Sequence, residues 1–401
     1  MINYKMVPIS VLLAAMSAGM FMSASVAAVE TKPHKIGDTV VTSMITSSFG
    51  YGDNVFRGSS LEESSSFISI TPTVEAVRET PHGRLSFGYQ GNGVAFFDSS
   101  DDSYLSNELS GGYVRKLSSI SEFSVGASLE DGNTPRGTDS TEGTNGEARG
   151  STEFTRKDFA LGYRVGSEKV GPSLELGYKH ADLEFDNFEI INQGRDYSLE
   201  QLSARVGYQY SVATQFFVEL SKSDFDYSSA GQFLGDELDG SEQALLLGVK
   251  WKLSRLTEGE ISIGTIDKEL NNFQDPRSLT SWKVLLGWTP NTRDTISVEG
   301  FSRPFEQAGT GTFQEIEQLT AKWERQLSRT FSVVGGLTTG SVNFNGVARR
   351  DDFTSATVGM QYRPTRYSEW ALNYEYEDKD STLTNFVYDS NVLFLSYAVS
   401  L

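Results

Sequence analysis

Over most of its length the chain alternates apolar and polar residues with a period of two, in segments separated by turns and polar loops. Successive side chains on an extended backbone point to opposite faces, so this period predicts strands. Leu245, Leu247, Val249, Trp251 and Leu253 share one face, with Glu242, Ala244, Leu246, Gly248, Lys250 and Lys252 on the other. The split recurs in Leu202, Ala204, Val206, Tyr208 and Tyr210 against Gln201, Ser203, Arg205, Gly207 and Gln209. It recurs again in Trp282, Val284, Leu286 and Trp288 against Ser281, Lys283, Leu285 and Gly287.

Alternation alone suits a soluble sandwich as well as a barrel. Connection length decides between them. Short turns are expected at Thr80–Gly83, Lys116–Ser119, Gly166–Gly171, Ser211–Ala213, Ser254–Thr257, Pro290–Arg293, Leu327–Arg329 and Pro364–Arg366. Between them lie longer polar stretches: Gly52–Ser65, Asp98–Ser103, Asp131–Glu147, Asp186–Asp196, Asp226–Asp239, Leu270–Ser278, Arg303–Gly311, Asn343–Arg350 and Asp378–Asn385. Short turns on one rim and long loops on the other are the pattern of outer-membrane barrels. The expected fold is all-β, a transmembrane antiparallel up-and-down β-barrel of about 18 strands, with both termini in the periplasm of a Gram-negative cell.

Aromatic placement points the same way. Tyr113, Tyr163, Tyr208, Trp251, Trp288, Trp323, Tyr362 and Tyr397 lie on the apolar face near the short-turn ends of their strands. That is where a girdle at the membrane–water interface belongs. The last segment, Asn391–Leu401, carries Leu393, Leu395, Tyr397, Val399 and Leu401 on one face. It resembles the terminal strand by which the barrel-assembly machinery recognises its substrates, with Leu401 where that signal usually ends in Phe or Trp.

The first 28 residues read as a cleaved secretory signal: Lys5, then an apolar and small-residue run closing in Ser25-Val26-Ala27-Ala28. Residues 29–401 are then one barrel domain. Beyond Ala28 no window approaches the run of about 20 apolar residues that a spanning helix needs. With no cysteine, disulfides and thiolate chemistry have no residue to carry them. The 53 Asp plus Glu against 34 Lys plus Arg, net −19, argue against a nucleic-acid partner, which needs a basic face.

Catalytic and metal chemistry find little support. Of three histidines, His34 precedes the barrel, His82 lies in a turn, and His180 shares the lipid-facing parity of Leu174, Leu176 and Tyr178. Acidic groups such as Asp98, Asp101 and Asp102, or Asp236, Glu237 and Asp239, lack the ordered spacing of a calcium loop and read as solvated charge. No catalytic residue, cofactor or metal is expected. The candidate site is the inner wall: inward parity collects Arg84, Arg164, Arg205, Lys250, Lys283, Lys322 and Arg363, with Glu75, Glu122, Glu175, Glu324 and Glu375. A lumen with both charges and many hydroxyls suits water or a hydroxyl-rich solute, and its basic members would favour an anionic chain. The same charges would equally serve to pair across strands and hold the wall.

Tyr51-Gly52-Asp53-Asn54-Val55-Phe56-Arg57 follows the first strand, and Ile70-Thr71-Pro72, Phe87-Gly88-Tyr89-Gln90-Gly91 and Ser281-Trp282-Lys283 occur later. In these stretches the chain resembles the β-barrel porin family associated with capsule and exopolysaccharide gene clusters. The resemblance implies an outer-membrane barrel serving export or assembly of a secreted polysaccharide, with periplasmic and inner-membrane export components as partners. It brings no catalytic residue. The alternative is a general or substrate-specific diffusion porin for small hydrophilic solutes, which predicts a loop folded inward as a constriction. Asp131–Glu147 is the candidate loop. Lipopolysaccharide and outer-membrane lipid are the expected surroundings in either case.

Overall fold

In lipid only helices and closed sheets satisfy every backbone group, and segments that alternate with a period of two can present one apolar face only as strands of a closed sheet. The computed structural model describes residues 29–144, 148–167, 169–228, 238–253, 256–271, 276–306 and 311–401. The predicted leader, residues 1–28, lies outside them. A short arm strand, β1 (His34–Ile36), precedes the barrel. The wall follows as β2 (Thr39–Gly52), β3 (Ser65–Thr80), β4 (Gly83–Phe96), β5 (Tyr104–Lys116), β6 (Ser121–Thr134), β7 (Thr152–Gly166), β8 (Gly171–Phe185), β9 (Tyr197–Ser211) and β10 (Thr214–Tyr227). It continues as β11 (Gly240–Lys252), β12 (Thr257–Leu270), β13 (Arg277–Trp288), β14 (Asp294–Glu306), β15 (Phe313–Gln326), β16 (Phe331–Phe344), β17 (Arg349–Thr365), β18 (Ser368–Ser381) and β19 (Tyr388–Ser400).

Each wall strand pairs antiparallel with the next, and β19 returns to β2 in a register from Val392↔Gly52 to Ser400↔Met44. The sheet has no free edge and forms a closed barrel of eighteen strands, β2 to β19. Parity follows the sequence pattern. On β19, Leu393 is 52% exposed while its neighbour Phe394 is 1% exposed. Leu245, Leu247, Leu202, Val206 and Trp288 are likewise exposed, as a lipid-facing surface requires.

Beneath loop 53–64, Val55, Phe56, Phe67, Val94, Phe96, Val392 and Phe394 form a buried cluster at the loop-side end of the barrel. Its members come from the loop, β3, β4 and β19, so it spans β2 at the seam where the sheet closes. Burying each large apolar side chain here contributes about 1.5–3 kcal/mol, so the seam is stapled by packing as well as by its ladder.

Several expected boundaries shift. The stretch Asn343–Arg350 is a tight turn, because β16 runs to Phe344 and β17 begins at Arg349. β6 continues to Thr134, past Asp131, and β14 to Glu306. Alternation fades there because these tips stand clear of lipid, where outward residues need not be apolar, yet the ladder persists. Among the described residues the all-β chain carries one short α-helical turn, α1 (Glu189–Asn192), inside loop 186–196. The arm β1 pairs with β2, and His34 Nε2 lies 3.0 Å from the Leu401 carbonyl oxygen. Its brevity hid it from periodicity.

Candidate functional site

Loop 53–64 folds back onto the barrel rim through the Asp53–Arg57 stretch. The Asp53 carboxylate accepts from the Asn391 backbone and side chain, each at 2.8 Å. Asn54 donates to the carbonyls of Asp389 and Gly58 at 2.9 Å, and its own carbonyl accepts from Ser390 Oγ. Arg57 adopts a left-handed backbone, φ 53°, uncommon for a non-glycine residue. Its guanidinium lies 2.9 Å from Glu377, whose other oxygen accepts from the Tyr388 hydroxyl. Burial works against the Arg57 charge, but Glu377 and Tyr388 more than offset it and raise its pKa further.

The second loop into the mouth is the described part of 135–151. Arg136, buried, pairs with Glu63 at 3.0 Å and Asp102 at 2.9 Å, and stacks on the Phe56 ring. The two hydrogen bonds that Arg136 donates to Glu63 hold that carboxyl below the usual glutamate range. Asp139 pairs with Arg195 at 2.9 Å. Glu142 then reaches β17 and β18, where it pairs with Arg349 at 2.6 Å and with Lys379. Asn385 Nδ2 donates to the Gly143 carbonyl at 3.3 Å. The loop leaves the wall between β6 and β7 and is pinned on β17–β18, so it crosses the mouth. This corrects the reading of Asp102 as solvated charge, since it is 2% exposed and neutralised by Arg136. Glu147, Asp236 and Glu237 lie outside the described residues.

Along the inner wall, register brings most expected residues to partners. Arg205 lies 2.5 Å from Glu219 and 3.4 Å from Glu260, and Lys283 lies 3.7 Å from Glu260. Lys250 stands opposite Glu260 in the ladder. Arg363 pairs with Glu369 at 2.6 Å and Glu324 at 3.3 Å. Arg164 and Glu175 meet at 3.5 Å, with Glu122 opposite Arg164, and Arg84 approaches Glu79 at 3.5 Å. Lys322 stands opposite Ser297 and Gly336, Glu75 opposite Thr42 and Gly88, and Glu375 opposite Thr357 and Val392. His180 lies 3.2 Å from Asp182 and 4.0 Å from Glu200 on the opposite, outward parity. Among the described residues no group of His, Asp and Glu has the geometry to hold a metal.

A family model matches residues 28–401, nearly the whole chain. The chain belongs to the family described as Putative beta-barrel porin 2. This porin-like barrel is therefore an outer-membrane protein. No curated protein sequence matches it. Among solved structures, it is similar to OccK2 (OpdF) of Pseudomonas aeruginosa, at 12% identity and a TM-score of 0.50, covering 90% of this chain and 98% of that one. It is also similar to OccAB3 of Acinetobacter baumannii, at 10% identity and a TM-score of 0.47, covering 90% and 99%. A third similar structure is the copper transporter OprC, at 11% identity and a TM-score of 0.44, where 87% of this chain spans 63% of that chain. At such identities the likeness is one of fold.

Within this porin family member, the residues that periodicity missed are those of the mouth: Arg57, Arg136, Glu142, Arg349, Lys379 and Glu377. Parity could have placed Arg349, Glu377 and Lys379 inward, since they continue the inward sets of Arg363 on β17 and Glu375 on β18. Nothing periodic marks Arg136 or Glu142, which lie in a loop and find their partners across the barrel.

Proposed function

We propose that this porin-like barrel is a passive polar conduit serving export or assembly of an exopolysaccharide or capsule, without a catalytic step. The observation that carries the reading is the role of the Asp53–Arg57 stretch. Of the residues that resemble capsule-associated porins, Asn54, Val55, Phe56 and Arg57 are buried at the mouth, where Phe56 seats the crossing loop through Arg136. An eighteen-strand wall is wide enough to leave an aqueous lumen, and ion-paired inner charges interspersed with Ser, Thr and Gln suit a hydroxyl-rich chain. In this reading the first 28 residues are removed, both termini face the periplasm, and Arg84, Arg164, Arg205, Lys250, Lys283, Lys322, Arg363, Glu75, Glu122 and Glu175 line the passage. The barrel-assembly machinery inserts the chain among lipid and lipopolysaccharide, and periplasmic and inner-membrane export components deliver the polymer.

The crossing loop itself favours a second reading, a substrate-specific diffusion porin, because residues 135–144 narrow the mouth as a constriction would. Deleting the gene in its own host separates the two. The export reading expects loss of surface or secreted polysaccharide with normal uptake of small hydrophilic solutes. Unchanged polysaccharide with slowed uptake would remove it in favour of the diffusion porin.

A further inference from the structure

Glu142 is a loop carboxylate held by two cations that belong to the wall. Arg349 on β17 and Lys379 on β18 both contact it, and both also contact Asp351, at 2.5 Å and 2.8 Å. Asp351 is fixed as a wall residue, accepting from Ser381 Oγ at 2.6 Å. The Arg349 guanidinium lies over the rings of Phe386 and Phe344, 3.3 Å and 4.0 Å from their centroids. Glu377, two residues from Lys379, is engaged by Arg57 and Tyr388. Within this contact cluster the wall supplies two positive charges and one negative, and the loop supplies the second negative. Withdrawing Glu142 leaves Arg349 and Lys379 sharing one carboxylate, Asp351, among the described residues of this cluster, in a preorganised, partly desolvated setting suited to binding a carboxylate.

We propose that Arg349 and Lys379 form a binding site for the carboxylate of an acidic sugar unit, occupied at rest by Glu142 and vacated when such a unit displaces it. This rests on the carbohydrate reading above and names its substrate class: a chain bearing uronate-type carboxylates rather than a neutral one. The loop carboxylate is tethered, so it competes at an effective concentration of about millimolar. A free ligand meets weak apparent affinity until Glu142 is removed. Displacement frees the Glu142 end of the segment that crosses the mouth, while Arg136 and Asp139 keep its other end docked.

The test uses the purified full chain in detergent, with trigalacturonate and maltotriose as probes measured by calorimetry. Glu142→Gln should bind trigalacturonate at least about tenfold more tightly than the unsubstituted protein, with no matching gain for maltotriose. Adding Lys379→Gln, milder than any change at the stacked Arg349, should abolish the gain. Retained heat-modifiable migration on gels shows that each variant keeps its barrel. Equal trigalacturonate affinity with and without Glu142, or equal gains for both sugars, would overturn the proposal. If the gene deletion leaves polysaccharide untouched while Glu142→Gln still gains affinity, the site stands and the export reading falls. If polysaccharide is lost and no gain appears, the reverse holds.

Discussion

The Arg136 guanidinium lies over the Phe56 ring, 3.8 Å from its centroid, joining two loops that leave the wall on different hairpins. The same guanidinium carries the Glu63 and Asp102 carboxylates. One residue therefore holds three groups from two other loops, and the closure of the mouth depends on it.

Arg136→Ala should release the crossing loop while leaving the barrel folded. Breaking a buried pair from one side costs about 3–5 kcal/mol, because Asp102 stays buried without its cation. The wall ladder does not pass through Arg136, so the loss is local. Limited proteolysis should cut within 135–151 in the variant alone, and single-channel conductance in planar bilayers should rise. Unchanged conductance with an intact loop would show that Arg136 is not the clasp.

The clasp should also respond to acid. Arg136 holds the Glu63 pKa below the usual 4.5 of a glutamate. A carboxyl whose folded value is depressed contributes stability in full above its unfolded value and loses it as pH falls through the folded one. The docked loop should thus persist at pH 5 and loosen only below 4.5. Conductance followed from about pH 7 to pH 3 should show this rise, and Glu63→Gln should lack it. A transition near neutrality, or one identical in the variant, would assign it to another group.

How far these features could be read from sequence depends on what each residue answers to. Leu247, Val206 and Leu393 answer to the bilayer, which imposes one rule on every strand, so parity emerges from alternation and the strand count from the succession of short turns and long loops between the alternating segments. The inward sites of Arg205 and Arg363 follow from the same parity, because a one-residue slip would place those charges in lipid. Arg136 and Glu142 answer to Phe56, Asp102, Arg349 and Lys379, residues distant in sequence and brought close only by closure of the sheet. The brief arm at His34–Ile36 offers too few residues to establish a period.

Gly137→Ala should undock the loop by a different route. Gly137 has φ +77°, and an added Cβ would stand 1.8 Å from the Phe56 carbonyl oxygen. The left-handed backbone alone costs a side chain about 1–2 kcal/mol, and the backbone contact cannot yield without moving the Asp53–Arg57 stretch. Protease sensitivity and conductance should match those of Arg136→Ala. Wild-type behaviour in both assays would mean that the two loops do not pack this closely.

Parity makes a prediction about the wall. Leu247 sits in the middle of the outward apolar run of β11, 56% exposed, so Leu247→Arg should cost about 2–4 kcal/mol, as a charge at the bilayer midplane does. Ser221→Arg, on the inward face of β10 opposite Ala244, should cost little. Urea unfolding in lipid vesicles should separate them, and equal penalties would contradict the assigned register.

Ion selectivity tests the inner wall. Arg205 is shared by Glu219 and Glu260, and the Lys283 amine lies near Glu260 as well. Replacing Arg205 by Gln removes the cation that balances two carboxylates while keeping a hydrogen-bonding side chain of similar reach. The freed carboxylates face the lumen and raise the local concentration of cations passing them. Reversal potentials across a potassium chloride gradient should shift toward cation selectivity, and the shift should shrink at high salt, where screening shortens the reach of these charges to about 3 Å. Glu260→Gln, which removes the opposite charge, should move selectivity the other way. Opposite displacements from two substitutions one ion pair apart would place the cluster on the ion path, whereas no shift in either would mean that ions bypass this part of the wall.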